Sequence, residues 1–262
     1  MIQFSNARIS LLLAFTFVTC LNFACKSNAK PRTIFEDPKF AGWVFYTNKN
    51  LRIFHAPGHP LETNFPEIAA NYEKSIKRVC ELLGMELPTD TLTVIYYTGY
   101  GQGRAMTGKE YPYVENDIIH FWLPSYLGPT LVQYLLSRFS AVKPKHVFLE
   151  HGMIALFDFS GQNYHASTSG YVKSKDFIPL AKLAEDTAIN SNTERLQSAE
   201  AASFVAYILA NYGASRLKTM FESQTPFPQL VQDIFYQPVD TLQSNWLGFA
   251  LENTPPDTTT KK

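Results

Sequence analysis

The sequence has few cysteines and no excess of charge of either sign. Only three of its 262 residues are cysteine, and Lys plus Arg equal Asp plus Glu at 23 each. Because a basic excess is what attracts phosphate backbones, nucleic acid is not an expected partner. Since 45% of the residues are hydrophobic, we expect one well-cored domain with tails.

A charge-free apolar run follows Arg8 and ends at Cys25. A basic residue, an apolar stretch and then a polar segment are typical of a secretory signal peptide. The run is marginal for crossing a membrane, which takes about 20 apolar residues, so a permanent transmembrane anchor is the less favoured alternative. We therefore expect an exported protein with residues 1–25 as its targeting segment.

Cys25 follows the small residue Ala24 at the end of this run and precedes a polar segment. The arrangement resembles a bacterial lipobox, in which the cysteine becomes the lipidated first residue of the mature protein, although Asn22 and Phe23 depart from the usual pattern. The resemblance implies a membrane-anchored lipoprotein of the cell envelope. Without lipidation the protein is expected to be secreted or periplasmic. After processing, Cys80 alone would remain, so no internal disulfide is expected.

The first half of the domain has the pattern of a small sheet with one helix. Alternating, β-branched and aromatic residues predict strands at 51–55, 92–97 and 117–122. Between Pro66 and Gly84 apolar residues recur every three or four positions, which predicts an amphipathic helix capped by the glycine. This order of elements indicates an α+β domain.

After Pro124 the pattern is helical almost throughout. The expected helices cover residues 129–139, 147–157, 177–188, 198–221, 230–235 and 242–251. Proline is tolerated at a helix start but not in a helix interior, so the first of these helices is expected to begin at or near Gly128-Pro129.

From these patterns the chain is divided into a signal segment 1–25, a tether 26–40, a domain 41–252 and a disordered tail 253–262.

One stretch late in the chain carries a family resemblance. The sequence from Ala202 to Gly213 resembles the post-catalytic helix of the gluzincin metallopeptidases, also called peptidase MA-like, with its Tyr-Gly end. Phe235 and Trp246 fall where that family has a terminal helical unit with a Trp. The resemblance covers about residues 45–250. It implies a zincin-like fold, in which a small N-terminal mixed sheet with a helix packed on it precedes a mainly helical half.

Members of this family bind zinc through a helix with the pattern H-E-x-x-H and a glutamate from a later helix. The resemblance places the first histidine at Pro129, the general-base glutamate at Thr130, the second histidine at Gln133 and the third ligand at His151. A proline side chain has no donor atom, a threonine hydroxyl is no base near neutral pH, and a glutamine amide is a poor zinc ligand. We therefore expect neither catalytic residues nor a cofactor here.

A rearranged zinc site is the alternative for a cofactor. It would draw on four residues near the expected position, His151, Glu150, His146 and His120. Adjacent positions 150 and 151 point about 100° apart on a helix, so both cannot face one ion if that segment is helical. We therefore expect no cofactor, and a bound zinc ion is the less favoured alternative.

The remaining motifs carry weaker signals. Trp122, Tyr126 and Tyr134 are candidates for lining the substrate cleft that the resemblance implies, although aromatic residues are more often part of a core. The glycine-rich residues 99–103 follow a strand but lack the Lys-Ser/Thr ending of a P-loop, so a connecting loop is expected. The chain has no G-x-S-x-G pattern, and nucleophilic hydrolysis is not supported.

These observations favour binding without catalysis. The leading hypothesis is a peptidase-like envelope protein that uses the old substrate cleft, or the surface around it, to bind a peptide or another envelope protein. One alternative is a divergent metal-dependent hydrolase or peptidase with a rearranged metal site. The other is a structural component of the envelope.

Overall fold

The computed structural model describes the chain in three stretches, residues 34–125, 127–185 and 194–255. Two compact units divide the chain after Ala41. In the first unit, the described part of the predicted tether forms two short 3-10 helices, Ile34–Glu36 and Pro38–Phe40. The predicted signal segment with Cys25 lies outside the described residues, as does most of the predicted tail.

Five strands of the second unit form one mixed sheet. In chain order they are β1 (Val44–Thr47), β2 (Leu51–His55), β3 (Leu92–Tyr97), β4 (Tyr113–Glu115) and β5 (Ile118–Trp122). The spatial order is β1-β2-β3-β5-β4, with β2, β3 and β5 parallel and both edge strands antiparallel to their neighbours. The three central strands confirm the prediction to within one residue, whereas the two short edge strands are not predicted by the sequence.

The described residues contain nine α-helices, most of them after the sheet. They are α1 (Phe65–Leu83), α2 (Tyr100–Thr107), α3 (Leu127–Phe139), α4 (Val147–Leu156), α5 (Tyr164–Ser174), α6 (Leu180–Glu185), α7 (Glu194–Glu222), α8 (Phe227–Phe235) and α9 (Val239–Glu252). The backbone at Gly213 is non-helical and breaks α7 in two. None of the described helices combines the length and apolar character that crossing a membrane requires. The α+β class is as predicted.

Helix α1 packs on the sheet as the sequence predicts. Its apolar stripe, with Tyr72 and Val79 fully buried, joins one core with alternate residues of the central strands. The helix ends at Gly84, whose φ of 62° suits a glycine C-cap. Cys80 is buried in this core, and burial raises the pKa of its thiol. Cys80 is thus a small core residue of the sheet and α1.

Helix α2 replaces the connecting loop expected at residues 99–103. Gly103 lies directly on the indole of Trp122, where an added Cβ would be 2.5 Å from the nearest ring atom. Close packing on a large ring therefore stabilises this helix despite its two glycines, each of which has low helix propensity. The expected loop is wrong for this reason.

Two further helices differ from expectation. Helix α5 is not predicted, because its Ser- and Thr-rich sequence has low helix propensity; Asn163 caps it by accepting a hydrogen bond from the Ala166 N–H at 3.0 Å. The helix expected over 177–188 begins only at Leu180. Pro179 restrains the residue before it to an extended conformation, which explains the later start.

Helices α4 and α7 approach each other closely at Gly152. A Cβ added to Gly152 would lie 2.5 Å from the carbonyl oxygen of Ala201. On α7, Phe204, Val205 and Ile208 are fully buried. This contact fixes the orientation of α4, the helix that carries two of the candidate site residues.

Candidate functional site

Helix α3 carries three of the four positions at which the family resemblance places zinc chemistry. It begins at Leu127, two residues before Pro129, and residues 124 and 125 are not helical. This start agrees with the prediction drawn from the proline. Gly128 lets the first turn of the helix touch the chain after α4, because a Cβ there would lie 2.2 Å from the Asp158 carbonyl oxygen.

The side chains at these positions of α3 have different surroundings. Thr130 is buried and donates its hydroxyl to the carbonyl oxygen of Leu127 at 3.0 Å. Gln133 is exposed and lines a pocket of about 240 Å³ that also contains Ser137 and Glu150. The general-base position is therefore turned back onto its own helix, and of the three only the Gln133 position faces this pocket.

Glu150 and His151 lie next to each other on α4 and face different directions. Both are half-buried, but Glu150 lines the pocket beside Gln133 and His151 does not. The segment is helical, so the expected divergence of adjacent side chains is confirmed. The position of the third family ligand thus does not line the pocket that contains the position of the second.

The other two histidines considered for a rearranged zinc site are buried and hydrogen-bonded. The ring of His146 donates from Nε2 to the carbonyl oxygen of Thr225 at 2.9 Å. In β5, Nδ1 of His120 lies 2.9 Å from the hydroxyl of Tyr97. Among the residues that the structure describes, no three His, Cys, Asp or Glu side chains form a group that could hold a metal ion. Within the described residues, the donors considered for zinc are therefore not gathered into one group.

The aromatic residues expected at the cleft are part of the core instead. Trp122 and Tyr134 are 0% and 1% exposed. Burial raises the pKa of the Tyr134 hydroxyl to about 12, and the guanidinium of Arg138 lies 3.9 Å from the centre of its ring. The expectation for these two rings is corrected: Trp122 is covered by Gly103 of α2, and Tyr134 lies on the buried face of α3. Tyr126 lies outside the described residues.

A groove that the sequence does not predict runs along α1, and we call it the α1 groove. It consists of two adjoining cavities of about 440 Å³ and 630 Å³, which share Arg78, Asp158 and Phe159 in their walls. Leu127 and Gly128 at the start of α3 line the first cavity, and residues of α4 and α7 line the second. The only sequence feature that marks this groove is a pair of cations one helical turn apart on α1, Lys74 and Arg78. Such a pair is typical of an ordinary solvent-exposed helix face.

The wall opposite α1 is a turn that follows α4. Phe159 in this turn has a φ of 61° and is 40% exposed. The carboxylate of Asp158 accepts hydrogen bonds from the Ser160 N–H at 2.8 Å and from the Tyr164 hydroxyl at 3.0 Å. A residue other than glycine in this conformation costs about 1–2 kcal/mol. The turn therefore holds an aromatic ring at the groove at some expense in stability.

Helix α7 also carries a buried polar cluster whose members do not line the groove. Glu200 is fully buried and accepts a hydrogen bond from the Ile178 N–H at 3.1 Å, and burial raises its pKa to about 8. Nearby, Ser203 accepts a hydrogen bond from the Trp246 indole at 3.0 Å and lies 2.9 Å from Nδ1 of His165. Because Ser203 is fully buried, a substrate cannot reach its hydroxyl. We assign these groups to packing.

Comparison of the chain with known protein families, characterised proteins and solved structures finds no match. The gluzincin resemblance therefore rests on the sequence positions and the order of elements given above.

Proposed function

We propose that this chain is an exported, envelope-anchored protein on a zincin-like scaffold that binds a peptide or an envelope protein without hydrolysing it. The observation that carries this proposal is the position of Thr130, where the resemblance requires a general base. Its hydroxyl donates to Leu127 within its own helix. A buried hydroxyl held in this way cannot take a proton from water.

The order of elements supports the zincin-like part of the proposal. A mixed sheet with α1 packed on it comes first, α3 follows β5, and α3 packs against α4. This is the order that the resemblance requires for the two helices that bear zinc ligands in active members. The scaffold positions are kept while the side chains that would bind zinc are replaced.

A free strand edge supports a peptide as the ligand. Among the described strands, β1 and β4 each pair on one side only; β4 pairs with β5 and also contacts α3. An extended peptide can add to such an edge through main-chain hydrogen bonds. Strand addition needs no catalytic side chain, so it is compatible with the loss of the zinc positions.

The non-catalytic proposal predicts no chelator-sensitive cleavage of peptides. Full-length, tag-free protein would be incubated with a mixture of unstructured peptides, with and without EDTA, and the products read by mass spectrometry. We expect the peptides to stay intact, because Thr130 and Gln133 supply neither a base nor a good ligand. Cleavage that EDTA blocks and that Glu150→Gln abolishes would instead support a hydrolase with a rearranged site.

The envelope anchor predicts that Cys25→Ser moves the protein out of the membrane fraction. Without the thiol no acyl chain can be attached, and the acyl anchor is lost. The measurement is fractionation of bacterial cells that express the full chain, with palmitate labelling of the protein. Cys20→Ser serves as the matched control and should stay labelled and membrane-bound. Labelling that persists in Cys25→Ser would contradict the assignment.

A further inference from the structure

We propose that the α1 groove binds a short extended peptide that carries carboxylates beside an apolar side chain. The inference rests on the proposed binding function and adds a second surface, separate from the β4 edge, together with a ligand chemistry. This surface is separate from the degenerate zinc positions, since Pro129, Thr130, Gln133 and His151 do not line it.

The length of the groove suits a peptide of about five residues. The α1 side chains that line it are spaced as one helical face, Asn71, Lys74, Ser75, Arg78 and Leu82. At a rise of 1.5 Å per residue, the distance from the first to the last of these positions is about 16 Å. An extended chain covers about 3.3 Å per residue, so about five residues span the groove.

The charges of the groove select an acidic ligand. Lys74 and Arg78 are exposed on α1, and among the described residues neither forms an ion pair. By contrast, Lys77 on the same helix pairs with Glu81 at 3.8 Å. The carboxylate in the groove wall, Asp158, already accepts two hydrogen bonds within its own turn. Two cations thus face the groove, and carboxylates of a ligand can pair with them.

The other end of the groove is apolar. Leu82 is 48% exposed there, and Leu156, Leu209 and the ring of Phe159 line the same cavity, with polar residues of the turn after α4 at its rim. Strained backbone persists where the surroundings require it and is frequent at ligand sites, which fits the positive φ of Phe159. A concave groove that is cationic in the middle and more apolar at one end favours a peptide over a flat lipid surface.

The binding test uses fluorescent pentapeptides and the full chain in detergent. The probes are Glu-Glu-Ala-Leu-Phe, its reversed sequence, and analogues of both in which Gln replaces Glu. We expect at least one acidic probe to bind, and its analogue to bind about tenfold more weakly because two charge-assisted contacts are lost. The double variant Lys74→Gln/Arg78→Gln should raise the Kd by a similar factor. The matched control Lys77→Gln should leave it unchanged.

A second variant separates binding from folding. Glycine adopts a positive φ without strain, so Phe159→Gly should keep or raise the melting temperature. It should nevertheless raise the Kd of the acidic probe, because the apolar contact with the ring is lost. A Kd that stays unchanged while the fold is intact would overturn the role given to Phe159 in the groove.

The remaining outcomes are distinguishable. Equal binding of acidic and neutral probes, or no binding of either, would overturn the proposal for the groove. Binding of phosphatidylglycerol vesicles that depends on Lys74 and Arg78, without binding of peptide, would also overturn it and assign the surface to a membrane. Cleavage of a probe that EDTA blocks would overturn the non-catalytic proposal alone, and the Kd of the double variant would still decide the groove.

Discussion

Replacing Gly152 by alanine is expected to lower the free energy of unfolding by about 2–3 kcal/mol, because overpacking a tight contact forces the backbone to shift. The new Cβ would lie 2.5 Å from the carbonyl oxygen and 2.7 Å from the carbonyl carbon of Ala201. Both atoms belong to the backbone of α7 and cannot rotate away. Helices α4 and α7 would have to separate, which displaces Glu150 and His151 as well.

The control for this prediction is the same substitution on a helix face with open space. Gly170 lies in α5, and an added Cβ there meets nothing within 4 Å. Alanine is a better helix former than glycine, so Gly170→Ala should raise the free energy of unfolding by about 0.5–1 kcal/mol. Urea unfolding followed by circular dichroism measures both changes. If the two variants shifted in the same direction, the close contact between α4 and α7 would be contradicted.

Replacing Glu200 by glutamine is expected to stabilise the protein at pH 8 and to change little near pH 4.5. Burial raises the folded pKa of this carboxyl from its ordinary value of 4.5 to about 8. Between these values the folded chain keeps the proton and the unfolded chain loses it. The stability that the neutral carboxyl provides is therefore full below pH 4.5 and is lost as the pH rises towards 8. The gain in the variant at pH 8 should be about 2–4 kcal/mol.

The difference in the free energy of unfolding between wild type and Glu200→Gln separates the effect of Glu200 from that of other titrating groups. Burial lowers the pKa values of His59 and His165, so their contribution to stability is lost as the pH falls below about 6.5, in the opposite direction. Both proteins share that effect, and it cancels in the difference. Urea unfolding from pH 4.5 to 8 measures the difference in the free energy of unfolding, with Glu252→Gln as an exposed control. A difference independent of pH would contradict the raised pKa.

The parts of the fold that could be predicted are those in which local pattern and burial agree. The central strands and α1 have apolar residues at the period of their element, and Gly84 terminates α1 where it is expected. The edge strands β1 and β4 are only four and three residues long and half-exposed, so they have no comparable pattern. Helix α2 depends on the contact between Gly103 and Trp122, which only the tertiary structure contains.

The candidate site was predictable only where residue type alone decides the chemistry. Pro129, Thr130 and Gln133 lack the donors that zinc and a general base need, whatever their surroundings. The burial of the Trp122 side chain, in contrast, depends on its contact with α2, a helix that the sequence does not predict. The α1 groove was not predictable because its second wall, the turn that contains Phe159, is far from α1 in the chain.

The proposed absence of a zinc site is tested most directly by a zinc measurement on full-length, tag-free protein. The protein would be equilibrated with an equimolar amount of zinc, passed through gel filtration and assayed by mass spectrometry of the metal. We predict far less than one zinc per chain, and the same trace amount in His151→Ala and Glu150→Gln. One zinc per chain in the wild type that is lost in either variant would contradict the non-catalytic proposal.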